Sequence, residues 1–185
     1  MSLSWSTCFK SLLLLAAMTL PCVLHAQTSD ATSSPTPAPS GSSVTYCAGT
    51  CNGVPTHWKL FGQAHFERNP LCPGGFMIDQ IGFGPSNYAV LTFTVPVAGT
   101  YDISAALETE YPRALYIWLG SESGPLSTGS PFLITGKSFK VPVEWQLGSI
   151  ELQAGTNKLV FGNPHTTGPT DRDPYISAVT ITGPF

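Results

Sequence analysis

The side chains able to do chemistry gather in three stretches of this 185-residue chain. The first is Glu108-Thr109-Glu110-Tyr111-Pro112-Arg113. It mixes two carboxylates, a phenol ring and a guanidinium. Tyr111 can stack on an apolar ligand face, and Arg113 can grip hydroxyls or a carboxylate through its fork of donors. Glu108 with Glu110, or Asp171 with Asp173, also form the kind of carboxylate pair that glycoside cleavage needs, with separations of about 5–9 Å. Residues two apart on one loop seldom face each other across a substrate, so a small glycoside hydrolase is the weaker reading. A solvated loop with a weak Glu–Arg pair is the plain alternative. The second stretch runs from Asn163 through His165 to Asp171 and Asp173. Its carboxylates suit a hard cation such as calcium, together with carbonyl oxygens. Asn163 also reads as a turn residue before Pro164. Tyr88, at the mouth of a strand, can wall a site or pack in the core. Gly120-Ser121-Glu122-Ser123-Gly124 is offset from a nucleophile motif and lacks its strand-to-helix context.

The cysteines are the third group. Cys8 and Cys22 fall in an N-terminal segment with a short polar start, Lys10, and an apolar run from Leu12 to Leu20. That run is too short to span a bilayer and reads as a secretory signal peptide over residues 1–26. Residues 27–44, rich in Ser, Thr and Pro with one charge, cannot bury enough apolar area to offset their ordering entropy and read as a disordered linker. Export places the protein outside the cell, in a periplasm or on a surface, and removes Lys10. Seven basic and eleven acidic side chains then remain, a formal −4. Cys47, Cys51 and Cys72 stay. An oxidising compartment favours one disulfide among them. Cys72 with Cys47 or Cys51 would close a loop of about 20–25 residues, worth roughly 3 kcal/mol. Cys47 with Cys51 closes little chain. Zinc, with His57 or His65 as a further ligand, is the sharper but weaker alternative.

The elements that must position these groups are strands. Leu91, Phe93 and Val95 alternate with Thr92 and Thr94, and Tyr101, Ile103, Ala105 and Leu107 continue the period of two after Pro96–Gly99. That pattern predicts a hairpin. A second hairpin is predicted across 153–157, from strands at 149–152 and 158–161. Ala114–Leu119 is apolar on both faces and predicts a central strand, with Trp118 in the core. Phe132–Ile134 and Phe139–Val143 predict edge strands, the latter holding Pro142. A last strand covers 176–181. No window shows a helical stripe, and Gly 18 and Pro 17 argue against a helical bundle. Turn signals at short intervals predict an all-β sandwich or jelly roll over residues 45–185. Charged residues make up only 10% of the chain and the net charge is −3, which excludes nucleic acid as the main partner. No segment predicts a membrane span.

Four motifs then fall in a recognisable order. Tyr88–Ile103 holds a strand, Ala98-Gly99-Thr100-Tyr101, and a strand. Ile150–Phe161 repeats the arrangement around Ala154-Gly155-Thr156-Asn157. Cys72-Pro73-Gly74-Gly75 precedes the first, and Gly162-Asn163-Pro164 with an acidic loop and a terminal strand follows the second. Over roughly residues 60–183 the chain resembles carbohydrate-binding modules of families 6 and 35. The resemblance implies a galactose-binding-like jelly roll that docks on poly- or oligosaccharide without cleaving it, often with structural calcium. It puts the ligand cleft among loops at one end of the sandwich, with Asn163 as a recurrent contact and the 108–113 loop lining the cleft. Tyr88, His165 and Tyr175 are further candidates there. Two departures stand out. Val54 and Thr56 occupy places where the family carries acids. Asp171 and Asp173 match its terminal acidic pair, or Ser177 stands there instead. Such a module could serve as accessory to a separately encoded glycan-degrading enzyme. A structural or adhesive protein that binds another protein is the competing class.

Overall fold

The computed structural model describes residues 41–51, 57–82, 84–120, 131–165 and 173–185. The signal segment, the linker up to residue 40, Val54, Thr56, the serines of 121–124 and Asp171 lie outside the described residues. Within them the protein is all-β, with eleven strands and one short 3-10 turn at Pro73–Gly75. The strands are β1 Ser42–Cys47, β2 Trp58–Phe61, β3 His65–Arg68, β4 Phe76–Asp79, β5 Tyr88–Val95, β6 Gly99–Thr109, β7 Arg113–Leu119, β8 Phe132–Ile134, β9 Ser138–Leu152, β10 Gly155–Gly162 and β11 Tyr175–Gly183. They form two antiparallel sheets. One has the order β3-β4-β11-β6-β9, with β1 also on β11; the other is β2-β5-β10-β7-β8.

The period-two patterns carry the core as the sequence predicts. Leu91, Phe93 and Val95 of β5 and Tyr101, Ile103, Ala105 and Leu107 of β6 are buried together with Leu115, Leu159, Phe161, Val179 and Ile181. These residues come from both sheets, so the core lies between two layers. The last strand and the two edge strands also appear, and Pro142 sits on β9, at a sheet edge where a missing N–H is tolerated.

Four expectations are corrected. β5 and β6 are not a hairpin, because β5 pairs with β2 and β10 whereas β6 pairs with β11 and β9. β9 and β10 likewise belong to different sheets. Alternation shows which face of a strand points inward and says nothing about which sheet it joins. Three or four Cα steps cover about 10–13 Å, enough to cross the spacing between packed sheets. Next, β7 lies between β10 and the three-residue β8, one place from the edge. Its Trp118 is half-buried on the outer face against Tyr88, Val90 and Val160, not in the main core. Finally, Ser42–Val44, assigned above to the linker, are strand. They pair with Gly183–Ile181, and Ser43 and Thr182 share a hydroxyl hydrogen bond of 2.8 Å.

The register brings five loops to one end. β2 runs out of Phe61 opposite Tyr88, β6 out of Thr109 opposite Ser138, and β11 starts at Tyr175 opposite Glu108. The short links 62–64, 110–112 and 135–137 join the two sheets there, with the described parts of two longer segments, 80–82 with 84–87 and 163–165 with 173–174, beside them.

Candidate functional site

Strand ends place the site. Asp79 closes β4, Arg113 opens β7 and Tyr175 opens β11. Together with Gln63, Gln80, Asn87 and Asp173 they line a cavity of about 150 Å³ at the loop end. The 80–87 loop can lie against Asp173 because position 82 is glycine. Its φ is +78°, and a Cβ there would come within 2.8 Å of the Asp173 nitrogen. The loop is closed by Gly82 N donating to the Asn87 carbonyl at 2.8 Å, and Asn87 Oδ1 accepts from Gln63 N at 2.9 Å. These bonds fix the amide-bearing residues around the cavity before any ligand arrives.

One side of the cavity is aromatic. The Arg113 guanidinium lies 4.5 Å from the Phe139 ring and 5.4 Å from the Tyr175 ring, and its Nη1 donates to the Asp173 carbonyl at 2.9 Å. Phe139 and Tyr175 are 5.3 Å apart, and Tyr111 meets Phe139 edge-on at 5.9 Å. The guanidinium thus holds the row Tyr111–Phe139–Tyr175 in place through cation–π contacts. Tyr175 also borders a larger groove of about 470 Å³, lined by Glu67, Arg68, Leu71, Phe139 and Lys140 among others.

Asp173 is the most unusual group. It is 1% exposed, and neither carboxyl oxygen has a hydrogen-bond partner among the described residues. Burial pushes its pKa well above the usual carboxylate range, partly offset by Arg113. Buried polar atoms are nearly always paired, so two unused oxygens beside a polar cavity mark a place where a ligand completes the bonding. Of the two acids put forward for calcium, Asp173 fits this description. Glu67 and Asp79, with His65, form a second group of potential ligands within 4.8 Å of one another. Burial first and Asp79 second push the Glu67 pKa up.

The other sequence candidates are dispersed. Glu108 is fully buried and does not line the cavity. Ser177 Oγ donates to its Oε1, as does the Cys72 thiol at 3.0 Å, while Oε2 has no partner among the described residues. The reading of Glu108 as a ligand contact is therefore corrected. An irregularity in pairing between Ile176 and Ala178 brings Ser177 to the outer face of the six-stranded sheet, and the Cys72–Gly75 turn lies over it. Tyr88 is also corrected. It is buried and stacks on Phe61 at 4.3 Å, on the outer face of the other sheet. Asn163 is buried next to the site but outside its lining. Its Nδ2 donates to the Ala114 carbonyl at 3.3 Å and its Oδ1 accepts from His165 N at 3.0 Å. His165 turns to the Tyr116 hydroxyl at 2.9 Å. Trp58 is buried against Phe161. Arg113 and Asp173 line the cavity, and Tyr111 stands exposed at the end of the aromatic row.

The disulfide is Cys47–Cys51, with Cα atoms 5.4 Å apart, and Cys72 is a buried free thiol. The longer loop would have been worth more entropy, but local geometry decides. The chain turns directly after β1 and brings Cys51 back onto Cys47, whereas Cys72 points to Glu108. Burial, then the carboxylate, pushes that thiol up to about 12. This pairing leaves only one thiol for the zinc alternative.

Gln63, Gln80, Asn87 and Phe139 were not singled out from the sequence. The one available signal was the apolar run Phe76–Ile78 ending in Asp79-Gln80, which marks a strand end carrying polar groups.

The sequence matches no family model and no curated protein. Solved structures do match. A family 35 carbohydrate binding module from Clostridium thermocellum is 25% identical with a TM-score of 0.58, covering 69% of this chain and 93% of its own. A family 35 module from Paenibacillus barcinonensis is 22% identical, with a TM-score of 0.58 and coverage of 76% and 98%. An exo-β-1,3-galactanase from Phanerochaete chrysosporium, solved with β-1,3-galactotriose, is 15% identical with a TM-score of 0.52; the match covers 77% of this chain and only 29% of the galactanase. The described β-sandwich has the fold of the family 35 carbohydrate-binding modules.

Proposed function

We propose that the chain is a secreted, non-catalytic protein that docks on a poly- or oligosaccharide through the loop end of its sandwich. The observation that carries this reading is the small cavity where Asp173 offers two unused oxygens among Gln63, Gln80, Asn87 and Arg113. Sugar hydroxyls are paired donors and acceptors, and a carboxyl group, amides and a guanidinium meet them in complementary fashion. The exposed ring of Tyr111 supplies a stacking face beside them. The one guanidinium that lines the cavity is already engaged by the Asp173 carbonyl, so the cavity favours a neutral sugar over a uronate.

The reading without cleavage is supported by one of the two carboxylate pairs raised from the sequence, Glu108 with Glu110. Glu108 is sealed under Cys72 and Ser177, and Glu110 sits exposed on the neighbouring loop, so the two do not flank a cleft. Secretion is supported by the Cys47–Cys51 disulfide, which persists in oxidising compartments. A module of this kind would concentrate a separately encoded enzyme's substrate or anchor the protein on a glycan. A calcium ion held at Asp173 would neutralise that carboxylate and offer coordination positions to hydroxyls. Treatment with a calcium-selective chelator should lower the melting temperature by several degrees, with recovery on adding calcium; an unchanged melting curve removes calcium from the account. Binding itself is tested by retention on immobilised neutral polysaccharides and by the absence of released reducing sugar.

A further inference from the structure

A second potential ligand site lies on the ridge between the cavity and the groove. We propose that His65, Glu67 and Asp79 bind a divalent cation of the zinc class. β3 and β4 are antiparallel, and their register sets His65 directly opposite Asp79. Glu67, two residues on, points to the same face. The donor atoms of the three lie within 4.8 Å of one another. Tetrahedral zinc with bonds of about 2.0–2.2 Å puts its donors about 3.3–3.6 Å apart, so a pair at the outer limit has to close by about 1.2–1.5 Å. His65 and Glu67 are exposed and can make that adjustment by small rotations, whereas Asp79 is held, buried, with its Oδ1 accepting from Gln80 N at 2.5 Å.

The imidazole is set up for ligation by a residue outside the group. His65 Nδ1 lies 3.1 Å from the Gln63 carbonyl, which can only accept, so Nδ1 carries the proton and Nε2 the free lone pair. A backbone carbonyl on the far ring nitrogen is the usual orienting partner of a metal-bound histidine. The Glu67 and Asp79 carboxylate oxygens lie within 4.8 Å of each other, an arrangement that a shared cation would hold together. The cavity onto which Asp79 faces is also lined by Asp173, buried and with both oxygens unpartnered among the described residues, so a further carboxyl group stands beside this corner. A mixed imidazole and carboxylate donor set suits zinc or manganese, whereas calcium prefers oxygen ligands alone. Three protein donors leave an open position. Because Asp79 lines the cavity and Glu67 the groove, that position lies where the two meet.

The test is calorimetric titration of the untagged, chelator-stripped chain with zinc chloride, and separately with manganese and calcium chloride. One zinc per chain with micromolar affinity is expected, and His65→Ala and Glu67→Gln should each weaken it at least tenfold. Both residues are exposed, so the metal-free variants should unfold at the wild-type temperature, while the zinc-induced rise in melting temperature disappears. No stoichiometric zinc uptake, or equal uptake by both variants, overturns the site. Calcium binding that survives His65→Ala while zinc fails to bind also overturns it. Loss of zinc binding with glycan binding intact, or the reverse, separates this site from the proposed function.

Discussion

Two buried carboxyl groups at the same end of the sandwich have opposite surroundings. Asp173 and Glu108 each leave at least one oxygen without a partner, and burial raises both pKa values. Asp173 borders a polar cavity. Glu108 has the Cys72 thiol and the Ser177 hydroxyl against it and borders none of the cavities described above. Burial and a displaced pKa are thus insufficient to mark a site; the adjoining space decides whether the unused oxygen can meet a ligand. The proposed function assigns the first group to binding and the second to folding.

The sharpest way to break this contrast is a pair of isosteric variants. Asp173→Asn should weaken glycan binding roughly 100-fold, about 3 kcal/mol, whereas Glu108→Gln should leave affinity within about twofold. Affinity electrophoresis on the retained polysaccharide checks both; equal losses would erase the distinction.

The next effect is on stability. The Glu108 carboxyl is pushed up to about 7 from an ordinary value of 4.5 by burial. The folded state therefore holds a proton that the unfolded chain has already lost between those values. Its contribution is fully present below pH 4.5 and declines as pH rises towards 7, by a total of about 3 kcal/mol. Urea unfolding across this window should show that decline. Glu108→Gln should flatten it, and an unchanged slope in the variant would assign the titration elsewhere.

Asn163→Ala should cost about 1–3 kcal/mol of stability, because it strips the buried Ala114 carbonyl and the His165 N–H of their partners. A melting temperature unaltered by this change, with binding lost, would return Asn163 to the ligand. Tyr111→Ala should be the mildest. The ring is 61% exposed, so stability should hold while binding falls by about tenfold, the scale of one lost stacking contact. Unchanged affinity would confine the site to the cavity itself.

How much of this was legible in the sequence follows from which forces are local. Alternation at 91–95 and 101–107 identified the inward faces of β5 and β6, because side-chain period depends on backbone pleat alone. It could not distinguish a hairpin from a crossing between sheets. Arg113, Tyr111 and Asp173 were legible because their chemistry is stated by their type. Glu108 looked equivalent to them, and only the pairing irregularity before Ala178 and the turn after Cys72 show that it is sealed. Gln63, Gln80 and Asn87 were invisible for the opposite reason. They are ordinary polar loop residues, made into a lining by the glycine at position 82 and by the register that gathers five loops. One disulfide among the three cysteines was legible, but its pairing stayed open because loop entropy says nothing of the turn that returns Cys51 to Cys47.

The most direct test of the central claim is a glycan array read with the wild-type chain and Asp173→Asn side by side. The account predicts that the wild type binds a set of neutral glycans and that the variant, folded to the same melting temperature, loses them. Retention of no glycan by the wild type, or the same glycans bound equally by the variant, would contradict it.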